Sequence, residues 1–136
     1  QRRWCALVGF AGGTTGTCLV LPPGKWDEGK LLEWLEHFYS GGTTLDVPLH
    51  ELPNVYWPEF NCPKGATDII IITDALVNAP PQMIADFQAW KQREQVKLIS
   101  LILNHEPGDL AKVSDETFKV RTIDTAEEAV GRCLSI

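Results

Sequence analysis

Apolar residues in this chain fall into short runs near its start and longer runs in its second half. Trp4 to Phe10 reads as a strand, Gly12-Gly13-Thr14-Thr15-Gly16 as a tight turn, and Cys18 to Leu21 as a second strand stopped by Pro22-Pro23. So short a glycine turn predicts an antiparallel hairpin. From Asp27 to Tyr39 the period changes. Leu31, Leu32, Leu35 and Phe38 form a stripe, and Glu28, Lys30, Glu33 and Glu36 lie outside it. That is a helix, ended by Ser40-Gly41-Gly42. Leu45 to Leu52 predicts a short helix with Pro48 in its first turn. Pro53 to Lys64, rich in proline and aromatics, reads as an irregular insertion loop.

The second half alternates more regularly. Ile69-Ile70-Ile71-Ile72 offers no polar face, so 67–73 reads as a strand covered on both sides. Pro80-Pro81 opens a helix to about Arg93, with Met83, Ile84, Phe87 and Trp90 on one side. Val96 to Leu103 is a buried strand, Pro107 to Val113 a helical turn, and Thr117 to Val120 an edge-like strand. Thr125 caps a last helix, with Glu128 at the capping-box position. Strand and helix in alternation imply an α/β fold. Its sheet is mostly parallel, with the hairpin as an antiparallel edge and helices on its flanks. A chain of 136 residues without linker or repeat fits one domain, 1–136.

Composition narrows the function classes. Net charge is -6, and an acidic surface argues against a general nucleic-acid binder. No apolar run reaches the length of a membrane span. The four cysteines, at 5, 18, 62 and 133, form no C-x-x-C pair, so they read as reduced, structural thiols of a cytoplasmic protein. The chain begins Gln1-Arg2-Arg3-Trp4 without Met, and a processed product or excised fragment is expected.

Candidate chemistry centres on Asp74. An acid at the carboxyl end of a buried parallel strand lies on the rim where open α/β sheets bind ligands. Gly41-Gly42-Thr43-Thr44 lies at a helix end and could reach the same rim. A hydroxyl and a carboxylate are hard oxygen donors that suit Mg²⁺, although two donors make only part of an octahedral set. The plainer alternative has Thr43 and Asp74 capping the helices that follow them.

The motifs Gly41-Gly42-Thr43, then Asp68 to Ala75, resemble a von Willebrand factor A (VWA) domain with its Rossmann-like fold. The runs Val96 to Leu103, Pro107-Gly108-Asp109-Leu110 and Asp115 to Val120 are similar to the bacterial CoxE-like or ViaA-like branch, as is the hairpin ending Val8-Gly9-Phe10-Ala11-Gly12. The resemblance covers nearly the whole chain. It implies a metal-ion-dependent adhesion site holding Mg²⁺ or Mn²⁺, with Thr43 and Asp74 as metal ligands. It also implies an acidic group on a protein partner completing the coordination. The branch implies work beside a MoxR-type AAA+ ATPase in complex assembly or remodelling.

The sequence departs from that pattern. The family's Asp-x-Ser-x-Ser loop is absent, and the first match is to the family's second strand. Thr44 also stands where many branch members have Asp. The resemblance places the family's first strand beside 67–73, so an N-terminal portion of the same protein is expected to supply it. Without that loop, metal binding by this chain alone is expected to be weak or absent. Two other readings remain: a Mg-dependent nucleotide- or phosphate-handling enzyme, and a metal-free structural domain. The first lacks a phosphate loop, since Gly9 to Gly16 has neither Gly-Lys-Ser/Thr nor a helix after it, and no G-x-S-x-G is present. His37, His50 and His105 have no ligand-spaced neighbours. Trp57, in the proline-rich segment, is the aromatic with most reason to touch a partner.

Overall fold

Two β-sheets organise the computed structural model, which describes residues 5–11, 18–25, 27–36, 44–74, 78–121 and 131–132. Strands β1 (Cys5–Val8) and β2 (Cys18–Leu21) form an antiparallel hairpin with Cys5 opposite Leu21. The turn at 12–16 lies outside the described residues. Helix α1 (Glu28–Leu35) follows, and the Asp27 carboxylate accepts from the Lys30 N–H at 3.1 Å as its N-cap. The second sheet has three parallel strands in the order β3 (Ile69–Thr73), β4 (Leu98–Leu103), β5 (Glu116–Val120). Helix α3 (Pro81–Glu94) makes the β3-to-β4 crossover that a parallel pair requires. It ends in the left-handed region at Gln95, φ +56°.

The hairpin expected as the edge of one mixed sheet is a separate two-stranded sheet among the described residues. Its strands and the β3–β5 set share no ladder there, although Phe10 packs against the main core.

Residues 53–64 differ from the irregular loop expected. A π-helix runs Val47–Tyr56, and α2 (Trp57–Glu59) continues it. In an α-helix the Pro53 ring would meet the i−4 carbonyl, and Pro53 has no N–H to donate. The wider i→i+5 turn moves the ladder off that carbonyl. The N–H of Trp57 bonds to Leu52 O in this spacing. Leu49, Pro53, Tyr56 and Trp57 are all buried, at helical spacing. Three prolines in the segment (48, 53 and 58) masked that stripe in the sequence.

One face of the sheet carries the main core. Ile71, Leu98 and Ile102 meet Leu45, Leu49 and Trp57, the α3 residues Ile84, Phe87 and Trp90, and Leu110 and Val113 of helix α4 (Leu110–Val113). Trp57 is 8% exposed and stands edge-on to Trp90 at 4.9 Å between ring centroids. It is a core residue, although the sequence made it the leading aromatic candidate for a partner contact. Its indole N–H is buried without a hydrogen-bond partner among the described residues.

The opposite face is only partly closed. Ile99, Leu101 and Val120 are buried there, with Leu103 and Phe118 against them. Ile70 and Ile72 share that face and are 44% and 57% exposed. This corrects the reading of 67–73 as covered on both sides. Among the described residues β3 pairs with β4 alone, and Ile70 and Ile72 leave one of its faces exposed. Helix α1 is similar: none of its residues is buried, and Leu32 and Leu35 of its apolar stripe are exposed.

Candidate functional site

Parallel strands bring their carboxyl ends to one rim, so the residues after β3, β4 and β5 share it. Asp74 follows β3 directly, in a bend, and is exposed. It does not cap α3, whose N-cap is Pro80. Thr43, the second expected ligand, lies outside the described residues, as do Gly41 and Gly42. Among the described residues no group of three or more His, Cys, Asp or Glu side chains is placed to hold a metal.

The loop after β3 is tied to the loop after β4. Asp109 Oδ2 accepts the Ala79 N–H at 2.8 Å, and its Oδ1 lies 2.7 Å from Lys112 Nζ. Lys112 and the Ala79 N–H hold the Asp109 carboxyl below its usual range. Sequence reading placed Asp109 in a motif but had no signal for this contact, which spans 30 residues.

A second carboxylate braces the opposite, amino end of the sheet. Asp115 Oδ2 accepts from the Leu98 N–H at 2.8 Å and from Lys91 Nζ at 2.9 Å. Partial burial pushes its pKa up, but those bonds and the nearby Lys91 and Lys97 charges outweigh it and leave it lowered. The amino end of β4 is also held by Asp68, which accepts from the Lys97 N–H at 3.2 Å.

The loops after β4 and β5 form an open crevice of about 470 Å³, lined by Asn104, His105, Glu106, Lys119, Val120 and Arg121. Asn104 takes φ +60°, and its N–H bonds to Val120 O at 3.0 Å, joining the two loops. Lys119 is paired with Glu106. That bond, the Lys119 charge and then Arg121 lower the Glu106 pKa.

Cys5, Cys18 and Cys62 are free thiols, and desolvation raises the pKa of each. Cys133 lies outside the described residues. Among those residues no helix is long and apolar enough to cross a membrane.

No family model matches the sequence, and no solved structure matches it. Two uncharacterized proteins of Methanocaldococcus jannaschii are similar to it. MJ0077 is 30% identical over 102 residues, which cover 73% of this chain and 24% of that protein. MJ0811 is 30% identical over 100 residues, 73% of this chain and 22% of that protein. The chain spans about a quarter of the length of these relatives.

Proposed function

We propose that the chain is a protein-interaction module of the VWA kind, whose carboxyl rim holds a divalent metal once a further strand is in place. The observation that carries this reading is Asp74, exposed at the carboxyl end of β3, a strand that pairs with β4 alone among the described residues. A parallel strand added there would bring its own carboxyl-end loop beside Asp74. Asp-x-Ser-x-Ser on that loop would supply the oxygen donors that Asp74 and Thr43 cannot supply alone. Asp74 would act mostly through metal-bound water, and Thr43 through its hydroxyl. The metal, Mg²⁺ or Mn²⁺, would offer a Lewis-acid position to an acidic group on the partner. The partner would be a protein, and a MoxR-type AAA+ ATPase fits the resemblance. Exposed Ile70 and Ile72 support the reading, because an added strand and its covering helix would remove them from water.

The test is calorimetric titration of the full-length polypeptide with Mg²⁺ and Mn²⁺, wild type against Asp74→Ala. Saturable binding that Asp74→Ala abolishes, with circular dichroism unchanged, is the expected result. Equal binding by the variant removes Asp74 from the site. No binding by either leaves a structural domain. A thermal shift with a nucleotide but not with metal alone favours phosphate-handling chemistry.

A further inference from the structure

The crevice between the loops after β4 and β5 is separate from the reading built on Asp74. It lies at the carboxyl ends of two adjacent parallel strands, where the ladder places Leu103 opposite Val120 and so brings Asn104 beside Arg121. Its volume, about 470 Å³, suits a small molecule. Two fixed cations, Lys119 and Arg121, and the His105 imidazole line it in a chain whose net charge is -6. The one carboxylate lining it, Glu106, is bound to Lys119. Arg121 makes no ion pair among the described residues.

We propose that this crevice binds a small oxyanion, a phosphate or carboxylate group, on Arg121 and Lys119, and that Glu106 is its internal competitor. The guanidinium presents two parallel N–H donors to a planar or tetrahedral oxyanion, and the ammonium adds a point charge. The Glu106 carboxylate already sits on Lys119, so the protein's own side chain shows that this ammonium accepts a carboxylate. An incoming anion takes Lys119 from Glu106, whose exposed carboxylate is left to water. The Asn104 and His105 side chains, from the same loop, are the polar groups available to orient the ligand.

The experiment is a ¹H–¹⁵N titration of the 136-residue chain with inorganic phosphate, and separately with succinate, at constant ionic strength. Saturable shifts confined to 104–106 and 119–121 are expected. Saturation by phosphate alone assigns a phosphate ligand, and saturation by succinate alone a carboxylate. Glu106→Gln, an exposed isosteric change, should tighten binding by about two- to fivefold by removing the competitor. Arg121→Lys keeps the charge but loses the paired donors, and should weaken binding by about tenfold. Unsaturable shifts spread over the surface lysines overturn the proposal. So does a Glu106→Gln variant that binds no better than wild type.

Discussion

Asp115 offers the sharpest test of how the amino end of β4 is held. Leu98 is fully buried, and its N–H donates to the Asp115 carboxylate at 2.8 Å. Asp115→Ala leaves that donor buried and unpaired, which costs about 1–3 kcal/mol. The ion pair with Lys91 adds little, about 0.5 kcal/mol, because the Asp115 side chain is 40% exposed and solvent screens it. Lys91 also keeps its bond to Val113 O at 2.7 Å. The expected loss is therefore about 1.5–3.5 kcal/mol. Asp115→Asn keeps an oxygen acceptor for Leu98 and gives up only the charge, so about 1 kcal/mol is expected. Urea unfolding near neutral pH measures both, as midpoint shifts at constant slope. The acid limb adds a second check. The folded pKa of Asp115 lies below its unfolded value. Its stabilisation is thus fully present above the unfolded value and disappears as pH falls through the folded one. The gap between wild type and Asp115→Asn should close on acidification below the usual carboxylate range. An Asp115→Asn variant as unstable as Asp115→Ala would refute the acceptor argument, as would an Asp115→Ala loss under about 0.5 kcal/mol.

Other outcomes follow from the core and the open face. Phe87 is 1% exposed and packs on Trp90 at 5.3 Å, so Phe87→Ala should cost about 3–5 kcal/mol in the same unfolding assay. Ile70→Thr with Ile72→Thr keeps β-branched residues on exposed positions. It should change the stability of the 136-residue chain by under about 1 kcal/mol and reduce its self-association in sedimentation. In the full-length polypeptide the same pair should be clearly destabilising. Equal, small effects in both would mean that nothing covers this face.

The expected β elements and the α3 face were legible locally, because each is written in a short stretch. Asp27 and the Gly–Pro punctuation bound the early elements, and the Met83, Ile84, Phe87, Trp90 stripe marks one side of α3. The first half of the π-helix was legible as the short helix expected over 45–52, but its continuation past Pro53 was not, since prolines that normally break a helix sit on its buried stripe. Asp74 could be named from sequence because strand and rim residue are contiguous. The crevice could not, because its residues come from two loops that only the β4–β5 register brings together. Asp109 and Asp115 were missed for the same reason: their partners lie far away in the chain.

Outside the proline-bearing segment 53–59, hydrophobic periodicity by itself determined which described segments are strands or helices, since side-chain spacing of two or 3.6 residues is a local property. It could not determine which side of a strand is covered. Four isoleucines in a row satisfy a strand buried on both faces, yet burial depends on what packs against each face. Tertiary structure buried Ile71 and left Ile70 and Ile72 in water, because α3 and the π-helix cover one face of β3 and no strand pairs with its outer edge among the described residues.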